Sequence, residues 1–253
     1  MKLDCVLTSC NLNEEYTKFM TFFIKSWKYL IPNVDIKIIL IADEIPKNLI
    51  KFKKYIILFP PIENIYSSFI AQYIRILYPA LLNYENGVLI SDIDMIPMNK
   101  KYYINNIKKF RNNCFCTYRD TRLQINQLNI CYNIATPKIW SEIFKINNID
   151  DIKVHLKKVY NKNTYENKRL GVGWYIDQIN IYNFVKKWDK KTKKHRILKD
   201  IKTKFIRLDR KKEIVINDDL INKIQKGHYC DYHCFTPYDD YYDLNYKIIL
   251  TSI

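Results

Sequence analysis

Apolar and polar positions along this chain fall into blocks that switch between strand-like and helix-like spacing. Residues 3–8 are largely apolar and predict a first strand, with Thr8 at its carboxyl end. Residues 14–30 carry Phe19, Phe22, Phe23, Trp27 and Leu30 at helical spacing, and Asn13 stands ahead of them as an N-cap. Pro32-Asn33 breaks that helix. Residues 36–42 are almost wholly apolar, as in a strand covered on both faces. Residues 55–59 give a third strand, ended by Pro60-Pro61. Residues 67–82 predict a helix with the stripe Phe69, Ile70, Tyr73, Ile76, Leu77 and Leu81. Gly87 then turns the chain into a short apolar strand over residues 88–90.

The second half is less regular. Residues 114–118 and 129–135 read as strands. Pro137 opens a helix carrying Trp140, Ile143 and Phe144. Helices follow over residues 150–159 and 177–188, separated by a polar loop over 161–173. Residues 189–216 are basic and hold two short strand candidates. Thr236-Pro237-Tyr238-Asp239 predicts the start of a last helix, with Thr236 as its cap. Strand–helix alternation of this kind predicts an α/β fold, with a mostly parallel sheet flanked by helices. No repeat or linker divides residues 1–253, so one domain is expected.

The sharpest chemical feature is Ser91-Asp92-Ile93-Asp94-Met95, placed where the strand over 88–90 should end. Ligands of open α/β sheets bind beyond the carboxyl ends of strands. Two carboxylates one residue apart converge on a hard cation when the chain bends there, and such a cation bridges the phosphates of a nucleotide. The apolar flanks argue against a freely solvated acidic loop.

Composition narrows the field. With 48% hydrophobic residues the chain can bury a sizeable core. A net charge of +16, from 42 Lys+Arg against 26 Asp+Glu, favours anionic partners. The basic clusters at 190–196 and 207–212 read as solvated faces. Four glycines, Gly87, Gly171, Gly173 and Gly227, exclude a GxGxxG fingerprint and a Walker loop, so phosphate binding needs metal, cations or helix ends. The seven cysteines contain no CxxC pair and read as reduced core residues. Asp4 interrupts the first apolar run, so it is no secretory signal, and runs such as 38–42 are too short to cross a bilayer. A cytoplasmic or otherwise reducing location is expected.

Three further groups could join Asp92 and Asp94. Arg75 is the sole cation in the apolar helix over 67–82 and needs an anionic partner, either a structural carboxylate or a nucleotide. Asp177-Gln178 follows the two-glycine loop at a helix start. Its carboxylate suits a nucleophile, charge stabiliser or general base, and equally a helix-dipole partner. His228 and His233 each offer an imidazole to a metal site begun by the aspartates. His233 is preferred as the nearer to the predicted last helix. A zinc site from His228, Cys230, His233 and Cys234 has unfavourable spacing. Asn133, at a strand end, suits a hydrogen bond to a sugar hydroxyl.

In chain order these residues resemble the metal-dependent glycosyltransferases of the GT-A fold, in particular retaining families of the glycogenin or galactosyltransferase type. Thr8 with Asn13 and Tyr16 looks like the nucleotide-binding first strand and loop. Arg75 through Leu82 resembles the helix before the metal motif, and Asp92-Ile93-Asp94 resembles the DxD motif. Asp177-Gln178 with Asn180 resembles the acidic segment near the sugar. The late histidine resembles the third metal ligand. One departure is that Cys234-Phe235-Thr236-Pro237 follows His233, where the family usually has a Gly and a Lys that touch the diphosphate. The Ile/Lys/Asn-rich chain also resembles stand-alone glycosyltransferases of large DNA viruses, which would place it in host cytoplasm.

The resemblance implies a Rossmann-like sheet with a smaller mixed acceptor-side sheet. It implies a nucleotide-binding half over residues 1–98 and an acceptor half over 99–253. It implies Mn²⁺ or Mg²⁺ held by Asp92, Asp94 and the histidine, nucleotide contacts from Thr8, Asn13, Tyr16, Arg75, Asp92 and Asn133, and catalysis at Asp177 and Gln178. The donor would be a nucleotide sugar, expected to carry UDP, and the acceptor a glycan or glycoprotein. The reaction would be retaining hexosyl or deoxyhexosyl transfer. No nucleic-acid partner is expected, and peripheral membrane contact stays open. Two rival readings remain: a sugar-phosphate nucleotidyltransferase, and a non-enzymatic basic module that binds nucleic acid.

Overall fold

The computed structural model describes residues 1–160 and 165–252. The first half contributes β1 (Leu3–Asn11), β2 (Asp35–Ile41), β3 (Ile56–Phe59), β4 (Gly87–Ile90) and β5 (Met95–Pro97). The second contributes β6 (Phe115–Thr117), β7 (Asn133–Ala135), β8 (His195–Ile197), β9 (Arg207–Asp209) and β10 (Asp231–His233).

The main sheet has the order β3-β2-β1-β4-β7-β6-β8, and a smaller one has the order β5-β10-β9. Strands β1 to β4 are parallel, β7 runs antiparallel to β4 and β6, and β8 is parallel to β6. This is the predicted α/β architecture with its smaller mixed sheet. From β1 the chain steps outward to β2 and β3, then returns through the helix Ser67–Ile74 to β4 on the other side of β1. Open α/β sheets bind ligands past the carboxyl ends of the strands at such a reversal, here β1 and β4.

Both faces of the sheet are covered, which explains the unbroken apolar runs. Val6 and Leu89 face a core built on the helix Met20–Leu30 with Phe23 and Trp27. Cys5, Leu7, Val88 and Ile90 face another, under the helices Ser67–Ile74, Pro137–Phe144, Ile149–Val159 and Ile176–Thr192. All seven cysteines are buried and free, as expected of core residues. Among the described residues, no helix is long and apolar enough to cross a membrane.

Several boundaries differ from the sequence reading. β1 continues three residues past Thr8, because Ser9, Cys10 and Asn11 still pair with β2. The predicted helix over 14–30 is two helices, Glu14–Thr17 and Met20–Leu30, and Asn13 caps the first by accepting from the Glu15 amide at 3.0 Å. The predicted helix over 67–82 stops at Ile74. Pro79 lacks the amide that a continuing helix would use, and a short 3₁₀ turn, Tyr78–Leu81, replaces it. The last helix is Tyr242–Ser252 and leaves Thr236 and Pro237 outside. β5 and β10 were not predicted. Of the expected loop over 161–173, residues 161–164 lie outside the described residues, and 165–173 holds only bends and turns.

Gly87 begins β4 under close contact. A Cβ there would lie 2.5 Å from Ile134 Cδ1 and 3.0 Å from the Lys2 carbonyl oxygen. Gly87→Ala is therefore expected to destabilise the fold by about 1–3 kcal/mol through overpacking. A urea-unfolding midpoint equal to wild type would contradict this.

Candidate active site

Ser91 still pairs with β1, its amide donating to the Leu7 carbonyl at 2.9 Å. The chain then bends through Asp92-Ile93-Asp94 and enters β5. The two acids part at this bend. Asp92 Oδ1 accepts from Arg75 Nη1, and its Oδ2 accepts from the Cys131 thiol at 2.8 Å. Arg75 is the C-cap of the helix Ser67–Ile74, and its guanidinium meets Asp92 and Asp177. Its Nη2 reaches Asp177 Oδ2 at 3.4 Å. Burial disfavours the Arg75 cation, but Asp92 and Asp177 outweigh that and raise its pKa.

Asp177 lies in the first turn of the helix Ile176–Thr192 and is only 1% exposed. Its Oδ1 accepts from the Gln178 amide at 2.8 Å and from Gln72 Nε2 at 3.3 Å. Burial pushes its pKa up, and Arg75 recovers only part of the shift, leaving the carboxyl at about 6. Gln178 Oε1 is buried without a hydrogen-bond partner.

Asp94 faces the small sheet. Its Oδ2 meets Arg210 Nη1 at 3.0 Å and His233 Nε2 at 3.4 Å. β10 brings His233 opposite Met95 on one side and Asp209 on the other. Asp209 Oδ1 lies 3.5 Å from His233 Nδ1, and that nitrogen has no well-formed hydrogen bond. Burial lowers the imidazole pKa, but Asp209 and Asp94 more than offset it and raise it. Burial raises the Asp94 pKa, yet His233 and Arg210 hold it well below the usual range.

His233, not His228, therefore stands beside the acidic bend. The physical reason is strand pairing, since the predicted helix start at Thr236 does not exist. His228 is exposed, precedes β10 and packs edge-on against Tyr229.

The remaining predicted residues divide. Tyr16 is 37% exposed. Burial of its hydroxyl raises its pKa, and the Asp94 charge adds to the rise. Asn13 is exposed, one turn before Tyr16, with its side chain spent on the helix cap. Thr8 is fully buried in mid-strand, with Oγ1 unpartnered, and does not end β1 as expected. Asn133 is corrected more firmly. It is 0% exposed, and its amide donates to the Asn129 and Ile130 carbonyls at 2.6 and 2.9 Å. Its Oδ1 accepts from Thr117 at 2.9 Å, so the group expected to hold a sugar hydroxyl is consumed in bracing its own loop.

Sequence reasoning missed Arg210, Asp209, Cys131 and Gln72. Arg210 and Asp209 lie within a basic stretch that reads as a solvated face, and only strand pairing turns them inward.

Among the described residues, no three His, Cys, Asp or Glu side chains surround one point. Asp94 and His233 do converge, giving a carboxylate oxygen and an imidazole nitrogen with Asp209 behind the ring. That donor pair suits Mn²⁺ or Mg²⁺, which take substrate phosphates and water at their other positions. Charge also fits. Three acids, Asp92, Asp177 and Asp94, share two arginines, Arg75 and Arg210.

No protein-family model matches this chain, and no curated protein matches it in sequence. Several solved structures are similar to it. The glycosyltransferase GlyE of Streptococcus pneumoniae TIGR4 aligns at a TM-score of 0.50 and 12% identity, over 100% of this chain and 61% of its own. The galactosyltransferase LgtC, solved with donor and acceptor sugar analogs, gives 0.49 at 14% identity, over 92% of this chain and 87% of its own. The bifunctional glycosyltransferase WbbM gives 0.46 at 12% identity, over 98% of this chain and 49% of its own. The likeness to GlyE shows that the seven-stranded sheet with its smaller companion is a glycosyltransferase fold of the GT-A type.

Proposed function

We propose that this chain transfers a sugar from a UDP-linked donor to a glycan or other hydroxyl acceptor, with retention at the anomeric carbon. The observation behind this reading is the pair of linked charge clusters, Asp92–Arg75–Asp177 and Asp94–His233–Asp209, at the crevice of a glycosyltransferase fold. Asp94 and His233 would hold Mn²⁺ or Mg²⁺, with Asp209 orienting the imidazole. When bound, the ion neutralises charge building on the departing diphosphate. Asp92, pinned by Arg75 and Cys131, keeps the bend in place and adds negative potential for the cation.

Asp177 faces the anomeric carbon and meets its developing positive charge. With a pKa near 6 it is mostly ionised at neutral pH, as that role requires. The buried, unpaired Gln178 Oε1 accepts a hydrogen bond from a sugar hydroxyl, which removes an otherwise costly unsatisfied acceptor. Tyr16 offers its ring to the base from the helix Glu14–Thr17, which follows β1 with its Thr8 and the cap residue Asn13.

Thermal melting with a panel of nucleotide sugars tests this reading. A donor at one hundred times its dissociation constant adds about 2.7 kcal/mol to the native state. For a chain of this size that is a rise of about 5–10 °C. The rise is expected for a UDP-sugar with Mn²⁺ and is smaller without the ion. An unchanged melting temperature across the whole panel, with and without metal, would defeat the proposal.

A further inference from the structure

Arg75 and Arg210, the arginines paired with the acids of the bend, are held differently. Arg75 is clamped between Asp92 and Asp177, and its side chain is 12% exposed. It belongs to the core wall. Arg210 Nη1 divides itself between Asp94 Oδ2 at 3.0 Å and the Cys234 carbonyl at 2.9 Å. It is the first residue beyond β9, on a turn closed by the Lys212 amide on the Asp209 carbonyl at 3.1 Å. It sits at a chain bend and touches one carboxylate.

That carboxylate oxygen is contested. Asp94 Oδ2 serves both Arg210 and His233. A divalent ion seated on Asp94 and His233 would approach the oxygen that Arg210 holds, and two cations on one carboxylate edge repel. Between His233 and Lys247 the chain has no other Lys or Arg, so the segment after His233 cannot supply a cation to a diphosphate.

We propose that Arg210 is an exchangeable counter-charge. It holds Asp94 while the crevice lacks a donor, and it passes to the donor's diphosphate when a divalent ion takes Asp94 and His233. A guanidinium matches phosphate oxygens with its planar fork, and the diphosphate brings the negative charge that Asp94 surrenders to the ion. This inference rests on the function proposed above and adds a consequence. Metal and nucleoside diphosphate must bind with strong mutual coupling, because each removes what opposes the other. Arg210 thus orders the assembly of the site by exchanging one anion for the other.

Mn²⁺ binding followed by electron paramagnetic resonance tests the inference without any turnover. Wild type, R210Q and R210K are titrated with Mn²⁺ in the presence and absence of UDP, and far-ultraviolet circular dichroism checks folding. Without UDP, R210Q is expected to bind Mn²⁺ at least about tenfold more tightly than wild type, a typical allosteric factor. UDP should tighten Mn²⁺ strongly in wild type and at least about tenfold less in R210Q. R210K, which keeps the charge, should recover part of that coupling. Equal affinity of wild type and R210Q without UDP, or the same tightening by UDP in both, would overturn the role of Arg210 alone. Absence of Mn²⁺ binding in all three proteins, even with UDP, would overturn the proposed metal and this inference together.

Discussion

Asp94→Asn is expected to slow UDP release from a UDP-sugar by about 10²–10³-fold, the usual effect of removing one preorganised charge stabiliser. Asp94 is the one acid of the bend that meets an imidazole, at 3.4 Å from His233 Nε2. It is also nearly buried, at 8% exposure, and water cannot replace it efficiently. An amide there keeps the shape but loses the charge that would seat the ion. It also leaves Arg210 without its carboxylate, so the variant should be about 1–3 kcal/mol less stable as well. Loss of stability alone would not change the response to metal. The distinguishing measurement is the melting temperature in UDP, which Mn²⁺ should raise in wild type and leave unmoved in the variant. Near-normal UDP release by Asp94→Asn would refute the assignment of this acid.

Those parts of the site that lie at the ends of periodic elements were legible in the sequence. Asp92 and Asp94 follow an apolar run, Arg75 interrupts an apolar stripe, and Asp177 opens a helix. Each signal is local. The other half of the site was not legible, because it is built by three-residue strands. Arg210 follows β9, and β9 is aligned only by its pairing with β10. In the same stretch, Arg207 reads as a surface cation. It nevertheless pairs with Asp231, which is 0% exposed, through Nη2 at 2.7 Å.

Two Thr-Pro dipeptides show why identical local signals part. Thr136-Pro137 does open a helix, and the Ile139 amide donates to the Thr136 hydroxyl at 3.4 Å. There the following residues Ile139, Trp140 and Ile143 give the helix an apolar face to bury. Thr236-Pro237 is followed by Tyr238-Asp239-Asp240, of which only Tyr238 is buried. Tyr238 instead packs edge-on against Phe19 at 4.9 Å, and the helix waits until Tyr242. Burial of a face, not the cap, decided which signal became a helix.

Asp177→Asn is expected to lower turnover by about 10³-fold and yet to stabilise the protein at neutral pH. The loss of rate is what the proposed role of Asp177, a charge opposite the anomeric carbon, requires. The gain in stability follows from the pKa of this buried acid, raised from 3.8 to about 6. Between those two values the folded protein keeps the proton and the unfolded chain does not. Native stability therefore falls as pH rises from about 4 toward 6, and the full penalty persists above 6. Its size is about 2–3 kcal/mol at pH 7.5. An amide at this position never ionises, keeps an acceptor for the Gln178 and Gln72 donors, and leaves Arg75 paired with Asp92. Urea-unfolding midpoints measured from pH 4 to 8 should nearly coincide for the two proteins at the acid end. They should then separate up to about pH 6, with the variant the more resistant. A variant weaker than wild type at pH 7.5, or a gap that does not change with pH, would show that Asp177 is a structural partner of Arg75. It would then not be an acid held at a cost for its chemistry.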